Sequence, residues 1–385
     1  MIGIITLNHD TFTNPTIYSI IKELNSNNIE VIIFSGNNTT PIPSELNLTT
    51  YSDAPNGLKL PRNPINIFQY FKKFLNVIRV IRKNRIKHII AVDPLGLVLT
   101  GRISKFSSFK THYFSFEIFF KEEIKDKNLI RLKNEESEYS RNVDSIVIQD
   151  KKRQSMLSGE NSISNFFKNW FLIPVSPISN KLTIVKKYTK EEFGFKASDT
   201  IYIHAGSVDK WSGAESIIKA AKSKLPENTY ILVHNRSKFS ETNPIHKQLL
   251  DLAAQNNQLK LHDKHFNSYE EYCAFLKCFD FGIAIYKPDN EVYTGKNIQE
   301  IGLSSGKFST LMLVGLPTIL SNSSIYKELV EKYKIGVIAT ENEDLEFHIK
   351  NKSLLNMNSE TCKTCYFEVL DPQKSINDYI DFLKN

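Results

Sequence analysis

The opening residues already restrict the fold. Met1–Leu7 is a near-continuous apolar run, Thr16–Asn25 carries apolar residues at helical spacing, and Glu30–Phe34 is a second apolar run. A strand without polar alternation is covered on both faces, as strands of parallel sheets are. Two such strands joined by a helix imply a right-handed β-α-β crossover. The pattern continues with His88–Asp93, Thr111–Phe116 and Asp144–Gln149. It restarts at Thr200–His204 and runs on through Thr229–His234, Gln258–His262, Phe279–Tyr286, Pro317–Ser321 and Gly336–Ala339. This is an α/β chain with two parallel sheets, since 385 residues are long for one core. Between the strands, Asn37–Asn63 reads as a long polar loop, Asp93-Pro94-Leu95-Gly96 as a turn, and Asn165–Ser179 as the connector between two domains.

Within this frame, Gly302–Pro317 (GLSSGKFSTLMLVGLP) is the stretch richest in chemistry. Small residues lead into one cation, Lys307, and then into the helix formers Phe308–Val314, which Gly315-Leu316-Pro317 stops. A small-residue loop opening a helix is an anion seat, because the first helical N–H groups lack partners and the helix dipole favours negative charge. The spacing is not that of a Walker loop: only three residues separate Gly302 from Gly306, and no Ser or Thr follows Lys307. A second strand–loop–helix junction lies at Ala205–Gly213, with Gly206, Ser207 and Lys210. In a parallel sheet, loops at the carboxyl ends of strands line the ligand crevice. That puts Asp10 and Glu117 among the candidates for a base or a hydroxyl-binding group, the alternatives being a helix-capping role for Asp10 and a solvated surface position for Glu117.

Charge is unevenly distributed. Residues 1–180 hold 23 Lys and Arg against 16 Asp and Glu, which is the whole excess of +7, while the remainder holds 26 of each sign. Much of the excess falls in Ile65–Lys87, an amphipathic helix without an acidic residue, in which Phe68, Phe71, Phe74 and Leu75 lie among Lys72, Lys73, Arg79, Arg82, Lys83 and Arg85. Such a helix suits either packing on the sheet with solvated charges or an anionic membrane interface. The basic residues follow no nucleic-acid-binding motif, so no nucleic-acid partner is expected. No apolar run is long enough to span a bilayer, and Met1–Leu7 reads as a strand rather than a signal peptide. Four cysteines are too few for a disulfide scaffold, and Cys362-Lys-Thr-Cys365 lacks the second pair or histidine cluster of a zinc site. The expectation is a cytoplasmic protein with no metal, peripheral on the inner face of the plasma membrane.

The ordered landmarks IYIHAGSVDKWSGAESIIKAA (Ile201–Ala221), FDFGIAIYKP (Phe279–Pro288), IGLSSGKFSTLMLVGLPTI (Ile301–Ile319) and ELVEKYKIGVIA (Glu328–Ala339) resemble the donor-binding domain of GT-B glycosyltransferases of the bacterial, group 1-like kind. In the first half, HYFSFEIFF (His112–Phe120), SIVIQDKKR (Ser145–Arg153) and NWFLIPVSP (Asn169–Pro177) are similar to bacterial members of the same group. The resemblance implies two Rossmann-like domains facing a central cleft: residues 1–175 on the acceptor side, residues 176–371 binding the nucleotide-sugar, and a helix over residues 372–385 crossing back to the first. It implies that Gly206, Ser207 and Lys210 approach the donor phosphates, and that Ser304, Ser305, Gly306 and Lys307 cradle the diphosphate and ribose. Many relatives carry a ribose-binding glutamate where this chain has Thr310. The implied activity is transfer of a hexosyl-type sugar from a nucleotide-sugar to a lipid-linked or other cell-surface glycan, without a cofactor. The missing glutamate motivates a second expectation, a non-catalytic module of the same fold supporting an active partner. A third is a nucleotide-sugar epimerase.

Overall fold

The computed structural model describes residues 1–7, 14–36, 46–52, 54–55, 64–179, 186–266, 268–288 and 295–384. By compactness the chain divides into two units. The first comprises Met1–Pro177, Asn290–Asn297 and Pro372–Asn385, and the second comprises Ile178–Asp289 and Ile298–Asp371.

The first unit is built on a seven-stranded sheet. Its strands are β1 (Ile2–Thr6), β2 (Val31–Ser35), β3 (Leu48–Tyr51), β4 (His88–Val92), β5 (Lys110–Phe114), β6 (Ser145–Ile148) and β7 (Trp170–Leu172), in the spatial order β3-β2-β1-β4-β5-β6-β7. Helices α1 (Pro15–Ser26), α2 (Pro64–Lys83), α3 (Asp93–Ser104), α4 (Lys127–Ser140) and α5 (Lys151–Asn161) connect them. The second unit carries β8 (Thr200–Gly206), α6 (Ala214–Lys222), β9 (Thr229–Asn235), α7 (Pro244–Gln255), β10 (Leu259–His262), α8 (Tyr269–Leu276) and β11 (Phe281–Ala284). After α9 (Gly295–Gln299) come α10 (Gly306–Val314), β12 (Thr318–Leu320), α11 (Ser324–Tyr333), β13 (Gly336–Ile338), α12 (Leu345–Lys350) and α13 (Ser359–Cys365). The six strands of this sheet run β10-β9-β8-β11-β12-β13. Every strand pairing in both sheets is parallel. In both units the strand order reverses beside the first strand, so each sheet has a switch point, β1/β4 in one and β8/β11 in the other. The last helix, α14 (Gln373–Lys384), belongs to the first unit, where Tyr379 packs edge-on to Phe114 and Phe171.

Three local expectations are corrected. The polar stretch Asn37–Asn63 contains β3, a half-buried edge strand whose threonines satisfy a ladder without an apolar run. The connector Asn165–Ser179 contains β7, so β6 does not close the first sheet. Asp93-Pro94-Leu95-Gly96 is the first turn of α3 rather than a free turn. Proline is tolerated there because the first helical N–H groups have no intrahelical acceptor. Gly96 sits inside the helix because a Cβ would come within 2.7 Å of the Ile5 carbonyl.

The apolar stripe of α2 divides in the structure. Phe74, Val77, Ile78 and Ile81 are buried among Leu95, Val98 and Leu99 of α3, whereas Phe68, Phe71 and Leu75 face outward. Among the described residues no helix is long and apolar enough to cross a membrane. Cys362 and Cys365, one turn apart on α13, are buried free thiols whose pKa burial pushes up to about 12, a poor condition for metal ligation. No group of three or more His, Cys, Asp or Glu among the described residues could hold a metal ion.

Candidate functional site

In the second unit the switch point gathers four elements around Lys307. Strand β8 ends at Gly206, whose φ of +132° is open to glycine and strained for other residues. The absent side chain also matters, because a Cβ there would stand 3.3 Å from Lys307 Cε. Two residues earlier, the buried His204 places Nε2 3.1 Å from the Ser207 carbonyl. Lys307 Nζ lies beside the same ring, 3.1 Å from Nε2 and 3.3 Å from Nδ1; with Nε2 donating to the Ser207 carbonyl, Nδ1 is the ring nitrogen left with a lone pair. On the other side, Nζ sits 5.4 Å from the centre of the Tyr286 ring, just beyond β11. Trp211 stacks on that ring with centroids 6.2 Å apart.

The entry to α10 fixes Lys307 in this slot. Ser305 caps the helix, its Oγ accepting the Phe308 N–H at 3.0 Å, and the same hydroxyl bonds the Tyr286 hydroxyl. The amides of Gly306 and Lys307, first in the helix, have no intrahelical acceptor. Gly315, at φ +80°, ends the helix in the left-handed conformation.

Electrostatics make the slot hungry for an anion. Lys307 is 9 % exposed, and its pKa is held well below the usual lysine value by burial and then by the Arg236 charge. Its side-chain neighbours among the described residues, the His204 ring and the Tyr286 ring, are neutral, and no described carboxylate forms an ion pair with it. His204 in turn is kept neutral, its pKa pushed well below the ordinary value by burial and by Lys307. Burial without a counter-charge thus disfavours the charged form of Lys307, and a bound anion would favour it.

The other residues singled out in the sequence fall around this core to different degrees. Ser207 and Lys210 are exposed in the loop after β8, and Lys210 accepts the Gly213 N–H through its carbonyl. Ser304 is half-buried in a short 3-10 turn, Gly302–Ser304, with its N–H donated to Ile301. Gly306 is half-buried at the first position of α10. Thr310 is buried one turn into α10, its hydroxyl donating to the Gly306 carbonyl at 2.6 Å and meeting the Tyr269 hydroxyl.

On the first unit, Glu117 is half-buried just beyond β5. The loop carrying it is clamped from β4: the Asp93 carboxylate, at the first residue of α3, accepts the N–H groups of Phe116 at 2.7 Å and Glu117 at 3.0 Å. The next residue, Ile118, donates its N–H to Asn297 Oδ1 at 2.9 Å, and the fully buried Arg153 donates to the same oxygen at 2.8 Å and to the Phe116 carbonyl at 2.7 Å. Asp10 lies outside the described residues.

Several of these partners are not apparent in the sequence. His204 and Tyr286 lie 103 and 21 positions from Lys307, and Arg236 directly follows a different strand, β9. The one usable signal for each was its position at the carboxyl end of a strand in a parallel sheet.

Neither a protein-family model nor a curated protein matches the sequence. Solved structures do. A sucrose-phosphate synthase from Thermosynechococcus elongatus superposes with a TM-score of 0.73 at 12% identity, over 100% of this chain and 98% of its own. HepE from Anabaena, in complex with UDP and glucose, gives 0.71 at 14% identity over 100% and 99%. WaaG, a glycosyltransferase involved in lipopolysaccharide biosynthesis, gives 0.65 at 13% identity over 98% and 99%. Full-length likeness to these structures, together with two all-parallel sheets of matching strand order, shows that this chain has the GT-B glycosyltransferase fold.

Proposed function

We propose that the protein is a glycosyltransferase that takes a sugar from a nucleotide-sugar and passes it to a lipid-linked or other cell-surface glycan at a membrane surface. The observation that carries the proposal is Lys307: a buried amino group between two neutral rings, at the mouth of α10, with no carboxylate partner among the described residues, whose charged form burial disfavours until an anion is present. A diphosphate supplies the missing charge. It would accept from the ammonium and from the amides of Gly306 and Lys307, with Gly206 leaving room beside it and Ser207, Lys210, Ser304 and Ser305 around it.

In the reaction the anomeric carbon–oxygen bond to the diphosphate breaks and a bond to the acceptor oxygen forms. Negative charge grows on the departing nucleoside diphosphate, and Lys307 stabilises it most when the bond is broken. The acceptor hydroxyl gives up its proton, and Glu117, held by Asp93, is the described carboxylate we assign to orienting that hydroxyl or taking its proton; Asp10 is the second candidate. Positive charge from Lys307 and Arg236 serves the leaving group without a cofactor. The UDP and glucose in the HepE complex make a uridine nucleotide the first donor to try. The lipopolysaccharide role of WaaG and the basic face of α2 support an envelope glycan as acceptor.

Thr310 favours a second reading. Its hydroxyl is committed to Gly306 and Tyr269, where many relatives place a ribose-binding glutamate. A module that binds a partner enzyme and no donor would tolerate that loss. Calorimetry with a panel of nucleotide-sugars separates the two readings, and Lys307→Ala should lower turnover or donor hydrolysis by at least about a hundredfold. Unchanged turnover in that variant removes the site assignment.

A further inference from the structure

Helix α2 carries more apolar surface than the first unit consumes. Its inward face supplies Phe74, Val77, Ile78 and Ile81 to the core. Its outward face shows Phe68 (71 % exposed), Phe71 (50 %) and Leu75 (60 %), spaced three and four residues apart and therefore on one stripe. Phe106, just beyond α3, adds a fourth exposed ring (56 %), packed edge-on to Phe74 and anchored through its carbonyl by Arg82. Four large apolar side chains exposed together make a patch, unlike the scattered single residues that any surface tolerates.

The same outward face is cationic toward the end of the helix. At 100° per residue, Lys72, Arg79, Arg82 and Lys83 fall within a quarter turn or so of the Phe68–Leu75 stripe, and all four are exposed. Pro64–Lys83 contains no acidic residue, and the first 180 residues hold the chain's entire positive excess. An acidic protein would complement the charge but would leave the rings to find matching pockets. A lipid surface takes both at once, the rings entering the acyl boundary and the cations pairing with phosphates.

We propose that the outward face of α2, with Phe106, docks the first unit onto an anionic lipid bilayer, lying in the interface without crossing it. This deepens the membrane part of the functional reading and is independent of the donor site, because the docking is measured without nucleotide.

The test is co-sedimentation of the full chain with vesicles of phosphatidylglycerol and phosphatidylcholine in about equal parts, against vesicles of phosphatidylcholine alone. The wild type should bind the anionic vesicles at least about tenfold more tightly, with affinity falling as salt rises. Phe68→Ser, Phe71→Ser and Leu75→Ser combined should lower that binding at least about tenfold, as should Arg79→Glu with Lys72→Glu. These positions are exposed, and an unchanged melting temperature in each variant confirms intact folding. No binding to anionic vesicles, equal binding to both vesicle types, or undiminished binding by the triple variant would overturn the proposal. So would an acidic polypeptide that displaces the protein from vesicles and binds the triple variant equally well, since that outcome assigns the face to a protein partner.

Discussion

A lysine enclosed by a histidine ring and a tyrosine ring is a poor brace for the fold, and in the proposed reading its task is to hold an anion. Replacing it with an apolar residue of similar length removes the desolvation cost of the cation while keeping the packing. Lys307→Met should therefore melt no lower than the wild type, and about 1–2 °C or more higher, while turnover collapses; a lower melting temperature would show that the ammonium is structural. Gly206 is the complementary residue. An alanine there takes on a φ of +132° and brings a methyl to the edge of Lys307 Cε, so Gly206→Ala should cost about 1–3 kcal/mol and weaken donor binding more than it lowers the melting temperature would suggest. Isothermal titration and a thermal melt on the same sample separate those effects. At this scale the sequence was informative where the chemistry was contiguous. Ser305, Gly306 and Lys307 stand together at a helix start and could be read as an anion seat. His204 and Tyr286 could not, because what makes them partners of Lys307 is strand order rather than spacing.

Among the elements, β5 shows how a buried histidine can set a pH limit. His112 on β5 accepts contact from every side: His88 Nδ1 at 3.0 Å, the Ser145 hydroxyl at 2.8 Å, the rings of Tyr379 and Phe382 of α14, and the nearby Lys110 charge. Burial, then His88 and Lys110, lower its pKa to about 3. The folded chain thus keeps the ring neutral, while the unfolded chain protonates it below its ordinary value of 6.5. As pH falls through 6.5 toward 3 the unfolded state binds the extra proton, and stability declines by up to about 1.4 kcal/mol per pH unit. Denaturant titrations at pH 7 and pH 5 should differ by about 2 kcal/mol less in His112→Gln than in the wild type. An equal pH dependence in both would show that other groups govern the loss. The elements themselves were legible in proportion to their burial. Continuous apolar strands such as β1, β4 and β8 announced themselves. The edge strands β3 and β7 did not, since an edge with one solvated side needs neither an apolar run nor clean alternation.

For the molecule as a whole, the two units divide the proposed labour, donor phosphates on the second and acceptor and lipid on the first. A nucleoside diphosphate at about a hundred times its dissociation constant should stabilise the chain by about 2.7 kcal/mol. Hydrogen exchange should slow within residues 204–213 and 302–310 of the second unit, with no comparable change along β6 and β7 of the first. Uniform slowing, or none, would speak against a seat at Lys307. The pair of Rossmann-like sheets was readable because the strand–helix alternation begins twice. The path of the chain between them was less so: Gly295–Asn297 belong to the first unit although their sequence neighbours on the carboxyl side belong to the second, and no composition change marks the excursion.

That excursion bears on how the protein can be cut. Asn297 enters the first unit from far along the chain, and its one amide oxygen serves both the Ile118 amide and the Arg153 guanidinium. A truncated gene product that stops at residue 177 retains the strands of the sheet yet forfeits both α14 and this clasp, so that the Ile118 amide and Arg153 lose the oxygen they share. Anyone dissecting the protein into independent halves would have to splice the short visiting segment back in, by circular permutation or as a separate peptide, to recover the native loop around Glu117.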